Sequence, residues 1–179
     1  MKVLIAAVST AVLAAAAIPA AAQAQDMTGT TFYGNLGYAH TNTDDFNLGA
    51  IQGRLGARFG QYFGVEGEAA IGVKGDDVNV AGVNVDVKQK HSAAIYGVGF
   101  LPVSPNTDLL ARVGYGTTKV KAEGGGVSVS DDGESWNFGV GAQHHFDGLN
   151  GVRLDYTRQE FRGDGGSANV WSIGYTRRF

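Results

Sequence analysis

The chain has 179 residues, so it holds one domain and whatever is removed before folding. Glycine is abundant at 28 residues against 3 prolines, and aromatic and β-branched residues recur in short patterned runs, which excludes a disordered chain. The net charge of -3, with basic residues scattered singly or in pairs, excludes a phosphate-backbone stripe, and the absence of cysteine removes disulfides, thiolate metal sites and thiol nucleophiles.

The N-terminus has the pattern of a secretory leader. Met1-Lys2 gives a short positive start, residues 3–18 form a nearly unbroken apolar run, Pro19 follows, and Ala22-Gln23-Ala24 is an A-x-A cleavage motif. Two segments are expected: a cleaved signal peptide over 1–24 and a mature domain over 25–179. No later segment reaches the ~18 consecutive apolar residues a spanning helix needs.

From residue 31 onward the sequence alternates with a period of two in eight segments, the pattern of strands with one lipid face and one interior face. The first, over 31–40, sets Phe32, Leu36 and Tyr38 against Tyr33, Asn35 and Gly37. The second, over 48–59, sends Ile51, Leu55, Ala57 and Phe59 to lipid and Gln52, Arg54, Gly56 and Arg58 inward. The third, over 63–73, puts Phe63, Val65, Ala69, Ile71 and Val73 outward and Glu66, Glu68, Ala70 and Gly72 inward. In the fourth, over 85–101, both faces are apolar or small, and Ala94, Tyr96, Val98 and Phe100 are assigned to lipid. The fifth, over 108–118, places Leu109, Ala111, Val113 and Tyr115 opposite Leu110, Arg112, Gly114 and Gly116. The sixth, over 135–146, alternates Trp136, Phe138, Val140 and Ala142 with Asn137, Gly139, Gly141 and Gln143. The seventh, over 152–161, alternates Val152, Leu154 and Tyr156 with Arg153, Asp155 and Thr157. The eighth, over 169–179, alternates Trp171, Ile173, Tyr175 and Phe179 with Ser172, Gly174, Thr176 and Arg178.

Connections at 60–62, 102–107 and 147–150 are short, whereas the other four are longer and polar or rich in Gly and Asp. The expected fold is therefore all-β, an eight-stranded antiparallel up-and-down transmembrane β-barrel with both termini on the short-turn side. A soluble lipocalin-like barrel also has eight such strands, but it turns its apolar face inward; here the charged face is the glycine-rich one, which suits a narrow interior. Phe32, Phe59, Phe63, Tyr115, Phe146 and Trp171 lie near strand ends, where interfacial aromatic girdles sit.

The terminal alternation of Trp171, Ile173, Tyr175 and Phe179 resembles the C-terminal β-signal that outer-membrane barrels present to the barrel-assembly machinery of diderm bacteria; Arg177 departs from it, standing where that family has an apolar residue. Tyr62-Phe63-Gly64-Val65-Glu66-Gly67-Glu68, Leu101-Pro102-Val103 and Gly139-Val140-Gly141-Ala142-Gln143, in that order, resemble the porin-family, OmpA-like or opacity-type small barrels. The resemblance covers the mature chain and implies an integral protein of the bacterial outer membrane, with lipid, lipopolysaccharide included, as its surroundings.

Interior charges are nearly balanced: Arg54, Arg58, Arg112 and Arg153 against Glu66, Glu68 and Asp155. Eight strands leave an interior that side chains fill, so these groups are expected to pair and plug the lumen. The hairpin through residues 60–62 sets Arg54 opposite Glu68, or Arg58 opposite Glu66 after a two-residue shift. A charge-selective pore would want an excess of one sign.

Nothing points to catalysis, a cofactor or a metal. A barrel esterase needs His and Ser on one strand face with a carboxylate behind the His, whereas His91 and Ser92 are adjacent and oppose each other, as do His144 and His145. The histidines, His40 included, read as interfacial or rim residues. Gly124-Gly125-Gly126 reads as the tip of the longest outer loop, extending to Asp132. The outer loops are acidic: Asp44, Asp45, Asp76, Asp77, Glu123, Asp131, Asp132, Glu134 and Asp164 outnumber Lys74, Lys119, Lys121 and Arg162. They suit solvation, bridging to lipopolysaccharide through divalent cations, or contact with an unidentified surface ligand. The sequence reading is thus a non-enzymatic envelope barrel serving integrity or surface interaction, with a narrow porin and a lipid A-modifying enzyme as alternatives.

Overall fold

The computed structural model describes residues 29–43, 47–80, 83–124, 127–163 and 166–179. Nine strands follow in chain order: β1 Thr30–Asn42, β2 Asn47–Phe59, β3 Phe63–Lys74, β4 Asp76–Val80, β5 Val83–Ser104, β6 Thr107–Gly124, β7 Val127–His145, β8 Asn150–Phe161 and β9 Ser167–Arg178. Each barrel strand pairs antiparallel with its chain neighbour, β1 with β9 and β3 with β5, so eight strands close a ring. Closure leaves no open edge to lipid, which is the condition for strands to cross a bilayer. The short β4 stays outside the ring and pairs only with β5. The expected leader with its cleavage site, Asp44, Asp45, Gly125, Gly126 and Asp164 lie outside the described residues.

The outer wall is apolar, with Leu36, Ile51, Val65, Ile71, Val113, Phe138, Val140, Leu154 and Ile173 all exposed. Their partners in the alternation are buried and polar: Asn35, Gln52, Arg54, Glu66, Arg112, Asn137, Arg153, Asp155 and Ser172. Such an inside-out distribution would strip a soluble barrel of its core, and it matches a wall solvated by hydrocarbon.

Three expectations are corrected. Tyr96, Val98 and Phe100 face the lumen, where they cluster with Tyr33 and Leu110, and Ile95 takes the lipid side at 66% exposure. The β3–β5 register decides this, because Glu66 lies directly opposite Tyr96 and residues directly opposite each other share a face. Second, the stretch from Gly124 to Asp132 is no long loop. Strands β6 and β7 stay paired as far as Gly124 and Val127, so Lys121, Glu123, Asp131 and Asp132 occupy strands; Asp76 and Asp77 likewise lie in β4. The Val-Ser-Val-Ser run at 127–130 carries the period of two that loop-like composition masked. Third, His145 is buried at 1% exposure on the lumen side instead of sitting on an exposed rim.

A candidate functional site in the lumen: two layers of paired charge

The middle of the lumen is crossed by a polar layer to which all eight ring strands contribute. The second and third strands place Arg54 directly opposite Glu68, and the guanidinium donates to that carboxylate at 2.7 Å. Glu66 falls opposite Gly56, so it finds its partners across the lumen instead. Arg153 reaches it at 2.6 Å and Arg112 at 3.0 Å, while the Tyr33 hydroxyl donates to it at 3.0 Å. Asp155 accepts from Arg54 at 2.6 Å and from Arg153 at 3.0 Å. Arg112 also meets Glu68 at 3.0 Å and donates to Thr157 at 2.6 Å.

Neutral groups complete the layer. Tyr96 donates to Glu68 at 3.2 Å and accepts from Asn137 at 3.0 Å, and the Arg112 guanidinium lies 4.4 Å above the Tyr96 ring. Gln52 and Ser172 accept the remaining Arg54 hydrogens. Three guanidiniums therefore face three carboxylates, and each of these largely buried charges has an opposite charge within hydrogen-bonding distance. Glycines in the wall give the side chains room: a Cβ on Gly139 would lie 2.9 Å from Arg112 Cγ, and one on Gly141 would lie 2.6 Å from an Asp155 oxygen.

A second layer lies nearer the short turns. Arg58 meets Asp108 at 3.0 Å and donates to the Gln61 carbonyl, and Arg178 meets the same carboxylate at 2.8 Å. Gln143 donates to Asp108 at 2.8 Å. Arg58 thus stands apart from the central cluster of Arg54, Glu66, Glu68, Arg112, Arg153 and Asp155 that sequence reasoning grouped with it. Sequence reasoning missed Asp108, which closes this layer, although its even-numbered place beside Leu110 and Arg112 marks it as inward. Tyr33 and Asn137 were expected on the inner face but not in the charge layer, and Tyr96 was expected on the lipid face; their contacts bring all three into the layer.

Between the outer mouth and the central layer is a vestibule of about 60 Å3. Ala39, Leu48, Ala70 and Val170 form part of its wall, and Gln52, Glu68 and Arg112 its floor. At the other end the backbone N–H of Phe179 donates to the Phe32 carbonyl at 2.9 Å, extending the seam between the first and last strands. Trp171, Ile173, Tyr175 and Phe179 lie exposed on the outer wall. His91 and Ser92 diverge to the two faces, and among the described residues no cluster of His, Cys, Asp and Glu is arranged to hold a metal.

A closed ring with lipid-type outer residues and a charge-filled interior agrees with the comparison to known families, in which the outer membrane protein beta-barrel domain matches residues 8–179. The chain belongs to this family. As an outer membrane protein beta-barrel it resides in the bacterial outer membrane. A search among curated proteins finds no match. Among solved structures, this outer-membrane barrel is similar to Ail of Yersinia pestis, solved in complex with the heparin analogue sucrose octasulfate, with a TM-score of 0.63 at 22% identity over 85% of this chain and 100% of that one. It is also similar to the N-terminal barrel domain of Pseudomonas aeruginosa OprF (TM-score 0.61, 9% identity, 82% and 97% of the two chains). OprG of the same organism gives a TM-score of 0.61 at 13% identity over 84% and 96%. At these identities the likeness concerns the fold.

Proposed function

We propose that this outer-membrane barrel is a closed, non-catalytic wall element that serves envelope integrity and presents a surface to the exterior, and that it passes no solute at rest. The central layer carries the reading: every ring strand contributes a group to it, and its six charges balance. A selective pore would keep one sign in excess along its length. The similar barrel Ail takes a heparin analogue, which supports a surface role; here the extended β5, β6 and β7 supply the surface for an unidentified ligand. In planar bilayers the protein is expected to show no steady conductance. Steady ohmic conductance in the parent would replace this reading with that of a narrow porin.

Biogenesis completes the proposal. Residues 1–24 act as a cleaved leader, and Trp171, Ile173, Tyr175 and Phe179 form the signal read by the barrel-assembly machinery. Deleting Phe179 removes a hydrogen bond from the closing seam and is expected to lower the outer-membrane level of the protein sharply, as an immunoblot of fractionated envelopes would measure. An unchanged level would sink the assembly-signal role.

A further inference from the structure

Two irregularities interrupt the strand pairing at the same height on neighbouring strands. Between β2 and β3 the register slips so that Ala50 faces Gly72 but Gly49 faces Lys74, leaving Val73 as an extra residue. Between β5 and β6 it slips so that Gln89 faces Val120 but His91 faces Lys119, leaving Lys90 as the extra residue. The β3–β5 pairing ends at Ile71 opposite His91, which brings both slips to one level at the outer end of the barrel.

Strict alternation would turn both lysines into the lumen. Glu66, Glu68 and Ala70 on β3 point inward, and Lys74 shares their parity; Tyr96 points inward on β5, and Lys90 shares its parity. A β-bulge re-aims the side chains beside it. Both lysines are in fact exposed. Lys74 stands on the outer wall, because a Cβ built on Gly49 would touch the outward Tyr38 and lie 3.1 Å from Lys74 Cβ. Exposed His91 is their neighbour, and Lys119 stands directly opposite it on β6. Among the described residues, no ion pair or side-chain hydrogen bond is seen for Lys74, Lys90 or His91. Exposed Val73 stands beside Lys74, exposed Ile71 directly opposite His91, and exposed Ile95 nearer the middle of the wall.

We propose that Lys74, Lys90 and His91 form a site on the outer wall for the phosphate of an outer-leaflet lipid. This deepens the envelope reading by naming a lipid partner and where it sits. Position and chemistry choose that occupant. The two lysines sit at the upper edge of an apolar stretch of wall, so a ligand with hydrocarbon tails and an anionic head meets both halves of the surface, whereas a soluble anion meets only the first. The cluster also runs against the acidic balance of the chain, which carries 17 acidic and 14 basic residues. The lipid then binds by direct contact with amines, without the divalent bridge that acidic loops would need.

The test uses the protein extracted from outer membranes and placed in nanodiscs carrying equal amounts of bisphosphorylated lipid A and its dephosphorylated form, with retained lipid counted by native mass spectrometry. The parent is expected to retain the phosphorylated form preferentially, and Lys74→Gln/Lys90→Gln to lower that preference about tenfold. Lys74→Arg/Lys90→Arg should keep it, as should Arg162→Gln, which removes an exposed cation from the β8–β9 connection. High salt should erase the preference of the parent itself, a reading that needs no variant to fold. A parent that retains both lipids equally overturns the site, and so does a folded Lys74→Gln/Lys90→Gln protein with unchanged preference. Detergent sensitivity of a deletion strain reports the envelope role separately: normal resistance there, with lipid preference intact, would remove that role and leave the site standing.

Discussion

The two charge layers inside the barrel differ in balance and in access to water. The central one sets Arg54, Arg112 and Arg153 against Glu66, Glu68 and Asp155, and its side chains are almost wholly buried. The one near the short turns sets Arg58 and Arg178 against Asp108 alone, with the Arg178 side chain 21% exposed. An excess guanidinium is tolerable where water can reach it and costly where it cannot. The same residue types thus have different energetic roles at different depths.

The largest effect is expected from Glu66→Gln, because Glu66 is held by Arg112, Arg153 and Tyr33 together. Its loss leaves three buried guanidiniums with two carboxylates and should lower the unfolding free energy in detergent by about 3–5 kcal/mol. Asp108→Asn should cost less, about 1–3 kcal/mol, since Arg58 keeps the Gln61 carbonyl and Arg178 keeps water. Urea titrations of the two variants compare the layers directly. If Asp108→Asn proves equal to or worse than Glu66→Gln, depth is not what separates them.

The smallest effect belongs to a charge outside both layers. Asp147, in the turn between β7 and β8, accepts hydrogen bonds from the backbone N–H groups of Asn150 and Leu149, and these hold its carboxyl down at about 2 from an ordinary 3.8. A depressed folded value means the carboxylate stabilises the turn above the ordinary value and loses that contribution as pH falls toward about 2. Asp147→Ala should therefore slightly weaken the barrel at neutral pH and flatten the acid limb of its stability curve between those values. Parallel acid limbs in parent and variant would show that the turn contributes nothing.

The sequence makes seven of the eight ring-strand faces legible, because charges, amides or glycines mark one side of each against large apolar groups on the other. Strand β5 lacks that marker around Ile95 to Leu101, and its aromatic residues suit lipid as well as a packed interior. Only pairing decides, since Tyr96 must share the face of Glu66. The Arg54–Glu68 contact was half legible: the three-residue turn left it and Arg58–Glu66 as the two allowed pairings, and the register takes the first. Glu66 with Arg153, 87 residues apart in sequence, depends on how the ring closes, which no local pattern encodes. The bulges that turn Lys74 outward and leave Lys90 exposed were equally hidden, because an inserted residue reverses parity without altering composition.

Closure of the ring also bears on how the barrel comes into being. Strand β1 hydrogen-bonds to β9, joining residues such as Tyr33 and Arg178 that are 145 positions apart in sequence. Until β9 arrives, β1 offers a row of unmet amides and carbonyls, a costly state in hydrocarbon and a sticky one in water. Contacts of such long sequence separation make folding slow and leave little reward for partial progress. Once the seam has formed, reopening must break many hydrogen bonds together, so the lifetime of the finished barrel is set by a barrier and can far exceed what its equilibrium stability alone would suggest.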